Sequence, residues 1–242
     1  MHMEVKNLST RLFIIAVTPA VVIVSGLYLS DRYDREPMRL LIITYILGAL
    51  SVIPTMLVEE FLSLLNVFPG VFGAFFTAFA VAGFTEEYFK RMVVLKVPYK
   101  SRFFNEKLDG IIYSVFSSMG FATVENVMYV VFRFSYNPYI GFYRGILSVP
   151  AHGIFGVTMG YYLSLAKFAP NEKRRKANMR KSLYMPLIFH GIFDFILMAN
   201  LPELSIIFIP YVIYLWWLNK QRLSQYLYDS KSRYIGTKDK EE

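Results

Sequence analysis

Long apolar runs separated by short polar intervals dominate this chain, on the scale of the roughly 20 helical residues that cross about 30 Å of hydrocarbon. Seven such runs can be marked out, at 12–30, 40–58, 71–96, 108–132, 145–166, 183–200 and 204–218. The pattern predicts an all-α, polytopic bundle of about seven transmembrane helices. No charged leader with a short apolar core and a small-residue cleavage site precedes the first run, so 12–30 is expected to be a retained helix.

Composition supports the same class. Of 242 residues, 55% are hydrophobic and 17% aromatic, with a mean hydropathy of +0.39, outside the range of ordinary soluble domains. Cysteine is absent, which excludes a disulfide framework, a thiolate zinc site and a cysteine nucleophile. Any metal would need histidine and carboxylate ligands. The formal charge of +8 does not argue for nucleic acid, because it is dispersed among loops rather than gathered on one face.

Seven spans put alternate loops on alternate sides, and all but Lys6, Arg11, Arg133 and Arg144 of the 26 lysines and arginines then fall on one side. That is the cytoplasmic side, which places the amino terminus outside and the carboxyl terminus in the cytoplasm. No second domain is evident: 1–242 is expected to be one integral-membrane domain with a cytoplasmic tail at 220–242. The polar stretches at 169–181 and from 220 onward have the composition of solvated loops, and no internal repeat is visible.

Ionisable residues interrupt the apolar runs. Glu86, Glu87 and Lys90 lie in the third, Glu125 in the fourth, His152 in the fifth, and His190 and Asp194 in the sixth. A charge at the centre of a lipid-spanning helix costs about 2.5–3.5 kcal/mol on insertion scales, so such groups mark a functional site by default. Their depths converge. At 1.5 Å rise per residue, Glu125 is about 12 Å from Arg133, His152 about 12 Å from Arg144, and His190 about 13–14 Å from Lys181, all near the midplane.

Each residue also has a plainer explanation. Glu86 and Glu87 could be a helix-end acidic pair answering Lys90 and Arg91 at i,i+4 spacing. Glu125 or Asn126 could be an interhelical hydrogen-bond staple, and His152 a core histidine bonded to a carbonyl. His190 and Asp194 set a carboxylate beside an imidazole on one helical face, an arrangement that orients a catalytic or metal-bound histidine. The functional explanation gains because two of only three histidines and several acids share one layer. Glu59 and Glu60 are expected to be a solvated edge without a role. The 31–37 turn, with Asp31, Arg32, Asp34, Arg35 and Glu36, is expected to be self-paired and solvated.

These residues resemble the motifs of the PrsW family of intramembrane proteases, grouped with the type II CAAX prenyl endopeptidases and bacterial Abi proteins. Glu86-Glu87-Tyr88-Phe89-Lys90 is similar to the family's EExxK, and Phe121 through Glu125-Asn126 to its FxxxEN. Pro150-Ala151-His152 and His190-Gly191-Ile192-Phe193-Asp194 supply the remaining two motifs in the same order. CAAX endopeptidases usually carry EExxxR and FxxxH instead, which makes prenyl-protein processing the less expected activity. The resemblance implies a CAAX-protease-like core in the cell membrane and an endopeptidase that makes the first cut in a single-pass substrate such as an anti-sigma factor. It implies Glu86, Glu87, Glu125, His152, His190 and Asp194 as catalytic residues, supported by Lys90, Arg91, Phe121 and Asn126.

Two mechanisms fit. Without a metal, Glu86 is the general base, Lys90 offsets its burial, His190 oriented by Asp194 positions or protonates, and His152 or Asn126 binds the oxyanion. With a metal, His152 and His190 with Glu125 or Glu86 form an N/O zinc site, and another carboxylate handles the proton. Glu87 is expected to orient Arg91 rather than act as the base. The rivals are a transporter or proton pathway built on the same midplane groups, and a membrane scaffold. A transporter would be expected to show inverted repeats and interrupted helices.

Overall fold

The computed structural model describes residues 2–238, and among them the regular structure is entirely helical. Helix α1 spans His2–Ser30. Helices α2 (Met38–Leu50) and α3 (Val52–Leu64) form one stretch broken at Ser51. Pro54 explains the break, since it has no N–H to donate to the carbonyl four residues earlier. Ser51 closes α2: its N–H bonds to the carbonyls of Leu47 and Gly48, and its hydroxyl also donates to Gly48.

Helix α4 (Gly70–Phe76) runs through a π-helical segment, Thr77–Gly83, into α5 (Phe84–Lys96). Helix α6 (Lys107–Val127) likewise ends in a π segment, Met128–Arg133. A short α7 (Pro138–Ile146), capped by the Asn137 side chain, leads to α8 (Ser148–Lys167). Helices α9 (Glu172–Met198) and α10 (Pro202–Lys238) complete the bundle.

Four helical stretches are long and apolar enough to cross a membrane: Thr10–Ser30, Met38–Leu64, Lys107–Arg133 and Glu172–Met198. They coincide with four of the seven expected runs. The other three fall within the helices at 70–96, Ser148–Lys167 and Pro202–Lys238.

Helix α6 is the axis of the bundle, with every residue from 108 to 122 buried, and it packs most extensively against α8 and α2. Glycines allow these approaches. A Cβ on Gly160 would collide with the Gly110 carbonyl oxygen, and one on Gly120 with that of Tyr45. Small residues at such crossings let backbones touch, which is how helices associate where lipid removes the hydrophobic drive.

Two polar stretches depart from expectation. Residues 172–181 are not loop but the opening turns of α9, with Asn171 capping the Arg174 N–H. The segment after 219 continues α10, with Tyr226 and Ser230 buried; residues 239–242 of the expected tail lie outside the described residues.

The 31–37 turn is only in part the solvated, self-paired loop expected: Arg32, Asp34 and Arg35 are exposed, and the Glu36 N–H bonds Asp31 Oδ2 within the turn. Asp31 and Glu36 are buried, Tyr113 of α6 donates its hydroxyl to Glu36, and the Arg35 guanidinium bonds the Asp31 backbone carbonyl rather than a carboxylate. Asp109 accepts the N–H groups of Asn105 and Glu106, which close the start of α6 as a capping box. Burial pushes the Asp31 carboxyl up to about 6 and the Glu36 carboxyl up to about 7.

A raised carboxyl pKa means the folded chain holds a proton that the unfolded chain has released, so the stability cost grows as pH rises between the two values. Melting temperature in detergent should therefore fall as pH is raised from about 5 to 8. Glu36→Gln should flatten that slope and gain about 2 kcal/mol at pH 8; an unchanged slope would remove Glu36 as its origin. Gly160→Val should cost about 3 kcal/mol or more through backbone collision with Gly110, read as lost monodisperse protein after heating.

Candidate active site

The π segments sit beside the acidic residues. Thr77–Gly83 ends three residues before Glu86, and Met128–Arg133 begins just after Glu125 and Asn126. Such segments shift the angular register between the helical turns on their two sides and occur often at functional sites. Here the first also packs directly on α9, where a Cβ on Gly191 would strike the Phe79 ring.

The centre of the site is the Lys90 ammonium, which is fully buried. Its Nζ lies 2.9 Å from Glu86 Oε2, 2.9 Å from Glu87 Oε1 and 3.0 Å from His152 Nδ1. Three donors therefore meet three acceptors, and the Phe121 ring lies 4.3 Å from the ammonium. Ser117 of α6 donates to the Lys90 carbonyl and ties α5 to the central helix.

Lysine can only donate, so His152 Nδ1 must accept and His152 Nε2 must carry the proton. That Nε2 lies 2.9 Å from Glu125 Oε2. Glu125 thus fixes the tautomer of His152 from its far side, and its other oxygen accepts from Arg144 Nη2 at 2.8 Å. His190 is held between two carboxylates, with Nδ1 3.1 Å from Glu87 Oε1 and Nε2 3.3 Å from Asp194 Oδ2. Both contacts are satisfied only when both ring nitrogens carry protons. The two imidazoles meet edge to face with centroids 5.3 Å apart, and Phe155 stacks on His190 at 4.8 Å.

Donor atoms of Glu86, Glu87, His152 and His190 all lie within 4.8 Å of one another, and all four residues are buried. The set is purely nitrogen and oxygen, suited to zinc, and Glu87 Oε2 is buried without a hydrogen-bond partner. By donor type and spacing the cluster fits a metal, whose binding would require His190 to shed a ring proton and the Lys90 ammonium to give up its contacts with Glu86, Glu87 and His152. Glu125, expected among the ligands, is not in this group, because it stands behind His152 as an orienting carboxylate.

All six expected catalytic residues, with Lys90, Phe121 and Asn126, are drawn into this one region. Arg91 is not: the expected i,i+4 pair with Glu87 is absent because Glu87 is committed to Lys90 and His190. Arg91 turns to α9 instead, donating to Ser182 Oγ and the Met179 carbonyl. Asn126 donates to the Ala16 carbonyl and accepts from Arg144 Nε, so its amide anchors α1 and α7 rather than facing a reacting oxygen.

Two participants were missed in the sequence. Arg144, marking only a helix end there, reaches both Glu125 and Asn126 and lies 3.9 Å from the Tyr129 ring centroid. Glu59, expected to be a solvated edge, is half-buried and accepts from Thr85 Oγ1 at 3.2 Å. The sequence signal for Arg144 was its isolation on the side poor in cations; Glu59 had none, since its partner Thr85 lies on a different helix.

Comparison with known proteins agrees with this chemistry. A family profile described as PrsW family intramembrane metalloprotease matches residues 36–218. Protease PrsW of Clostridioides difficile (strain 630) is 40% identical over 227 residues, covering 93% of this chain and 95% of that protein. Protease PrsW of Bacillus subtilis (strain 168) is 34% identical over 206 residues, covering 85% and 91%. No solved structure matches the chain. With the profile spanning every residue of the cluster and relatives aligned almost end to end, this chain belongs to the PrsW family of intramembrane proteases, multi-pass hydrolases of the cell membrane.

Proposed function

We propose that this chain makes the first cut in a single-pass membrane protein of the anti-sigma-factor kind, with Glu86 as the base that activates water. The observation that carries the reading is the buried junction of Lys90 with Glu86, Glu87 and His152. Buried acid–base pairs also occur in ion pathways, and the match to a protease family is what favours hydrolysis over transport.

The roles follow from what each group has left to give. Glu87 is fully buried and committed to Lys90 and His190, whereas Glu86 retains a little exposure. Glu86 therefore takes the proton from water as the water oxygen attacks the peptide carbonyl carbon, then returns it to the leaving nitrogen as the C–N bond breaks. Lys90 offsets the charge of the acid pair in a site where an isolated carboxylate would be costly. Asn126 is engaged elsewhere and the one N–H of His152 is given to Glu125, so His152 would serve the oxyanion only by turning that N–H away from Glu125. Glu125 and Asp194 hold the two imidazoles in place.

Glu86, Glu87, His152 and His190 are the residues that would hold a metal such as zinc. Once bound it would polarise the carbonyl and acidify water. The distribution of lysine and arginine supports an amino terminus outside and a cytoplasmic carboxyl end.

The test is reconstitution of purified protein in liposomes with a single-pass anti-sigma factor and an unrelated single-pass control. Cleavage should be confined to the first substrate. Glu86→Gln should slow it about 100-fold or more, and Glu125→Gln about tenfold through loss of His152 orientation. Equal cleavage by wild type, Glu86→Gln and His190→Ala would end the assignment. If zinc is resident, a strong chelator should abolish cleavage, zinc should restore it, and metal analysis should find it reduced in Glu87→Gln. Full activity with no protein-bound metal would leave the carboxylate mechanism.

A further inference from the structure

Arg91 is the one motif-adjacent cation that the catalytic cluster does not use. Its guanidinium is half-buried and pinned by two hydrogen bonds to α9. Among the described residues no carboxylate pairs with it. Two of its five N–H groups are engaged, which leaves three for a ligand.

Arg91 lines a groove of about 500 Å³ shared with Arg175, Lys176, Met179, Arg180, Leu183 and Tyr184. Among the described residues no acidic side chain lines this groove. The nearest acid on α9, Glu172, bonds Arg175 at 2.5 and 2.7 Å and Lys176 at 3.6 Å, leaving Arg91 and Arg180 without a counter-charge. A fixed guanidinium beside exposed cations is an arrangement that can hold a phosphate by fork-like hydrogen bonds.

The exposed face of α9 then changes character along its length. Arg180, Tyr184 and Ile188 follow one another at four-residue steps, so each neighbours the last along the helix surface. Tyr184 and Ile188 are 54% and 40% exposed. Over about 12 Å that face passes from cationic through amphipathic to apolar in the direction of His190. A soluble anion has no use for the Tyr184 to Ile188 end, whereas a lipid matches the whole strip with phosphate at Arg91 and Arg180 and acyl chain along Tyr184 and Ile188. We propose that this groove is a binding site for the phosphate headgroup of an anionic phospholipid, about 15 Å along α9 from the catalytic His190.

The test is native mass spectrometry of the full-length protein in detergent, titrated with phosphatidylglycerol or phosphatidylcholine. One phosphatidylglycerol should be retained in preference to phosphatidylcholine. Lys176→Gln/Arg180→Gln should weaken it about tenfold or more, from the loss of two surface cations. Arg91→Gln should do the same where it folds. Arg32→Gln/Arg39→Gln, which removes the same charge from another exposed site, should change it by less than about twofold. Equal weakening by the control pair, or undiminished binding in the groove pair, would overturn the site. Displacement of the lipid by glycerol 3-phosphate or inorganic phosphate at matched concentration would mean a free-anion site and overturn the lipid assignment.

Discussion

An ammonium buried in a membrane bundle sets the terms for everything around it. Lys90 has no solvent contact, and an uncompensated charge there would cost several kcal/mol. Compensation requires acceptors on all three N–H bonds, and the acceptors come from two helices: Glu86 and Glu87 one turn back on α5, and His152 across the bundle on α8. Helix α6 supplies the Phe121 face and, through Ser117, the bond to the Lys90 carbonyl. The register of α5, α6 and α8 is thus coupled to the neutrality of one side chain. The same requirement fixes the His152 tautomer and so dictates why Glu125 must stand on its other side.

That coupling demands that backbones approach more closely than ordinary side chains permit. The Gly110–Gly160 and Gly120–Tyr45 contacts bring α8 and α2 onto the central helix, and the two π segments flank the acids, a common placement for such segments. Function and packing are not separable here. The residues that make the bundle tight are interleaved with those that make it reactive, and helices joined by small residues and internal polar bonds are well suited to a lipid environment.

Much of the site was legible because its parts are local. Glu86 with Lys90, and His190 with Asp194, are i,i+4 pairs whose meeting follows from helix geometry alone. The convergence of depths put all four segments in one layer, and the structure brings them together. What failed involved choice among partners. Glu87 had both Lys90 and Arg91 within reach along its helix, and only the arrival of His190 from α9 decided for Lys90. Glu125 could be read as a metal ligand or an interhelical staple, and the structure places it on the far side of His152, outside the four residues whose ligand atoms cluster. Asp31 and Glu36 looked solvated among arginines because nothing in their own segment shows that Tyr113 of α6 covers them.

The sequence by itself determined the membrane class, the helical character and the identity of nearly every residue at the centre. Those properties depend on hydrophobic length, on charge placed where charge is expensive, and on spacing within single helices. The tertiary structure alone decided which groups neutralise one another, where Arg144, Glu59 and Arg91 point, and which four donors are close enough to share an ion. Pairing across helices depends on crossing geometry set by glycine contacts, a proline kink and π segments, and these act at ångström scale on residues far apart in the chain.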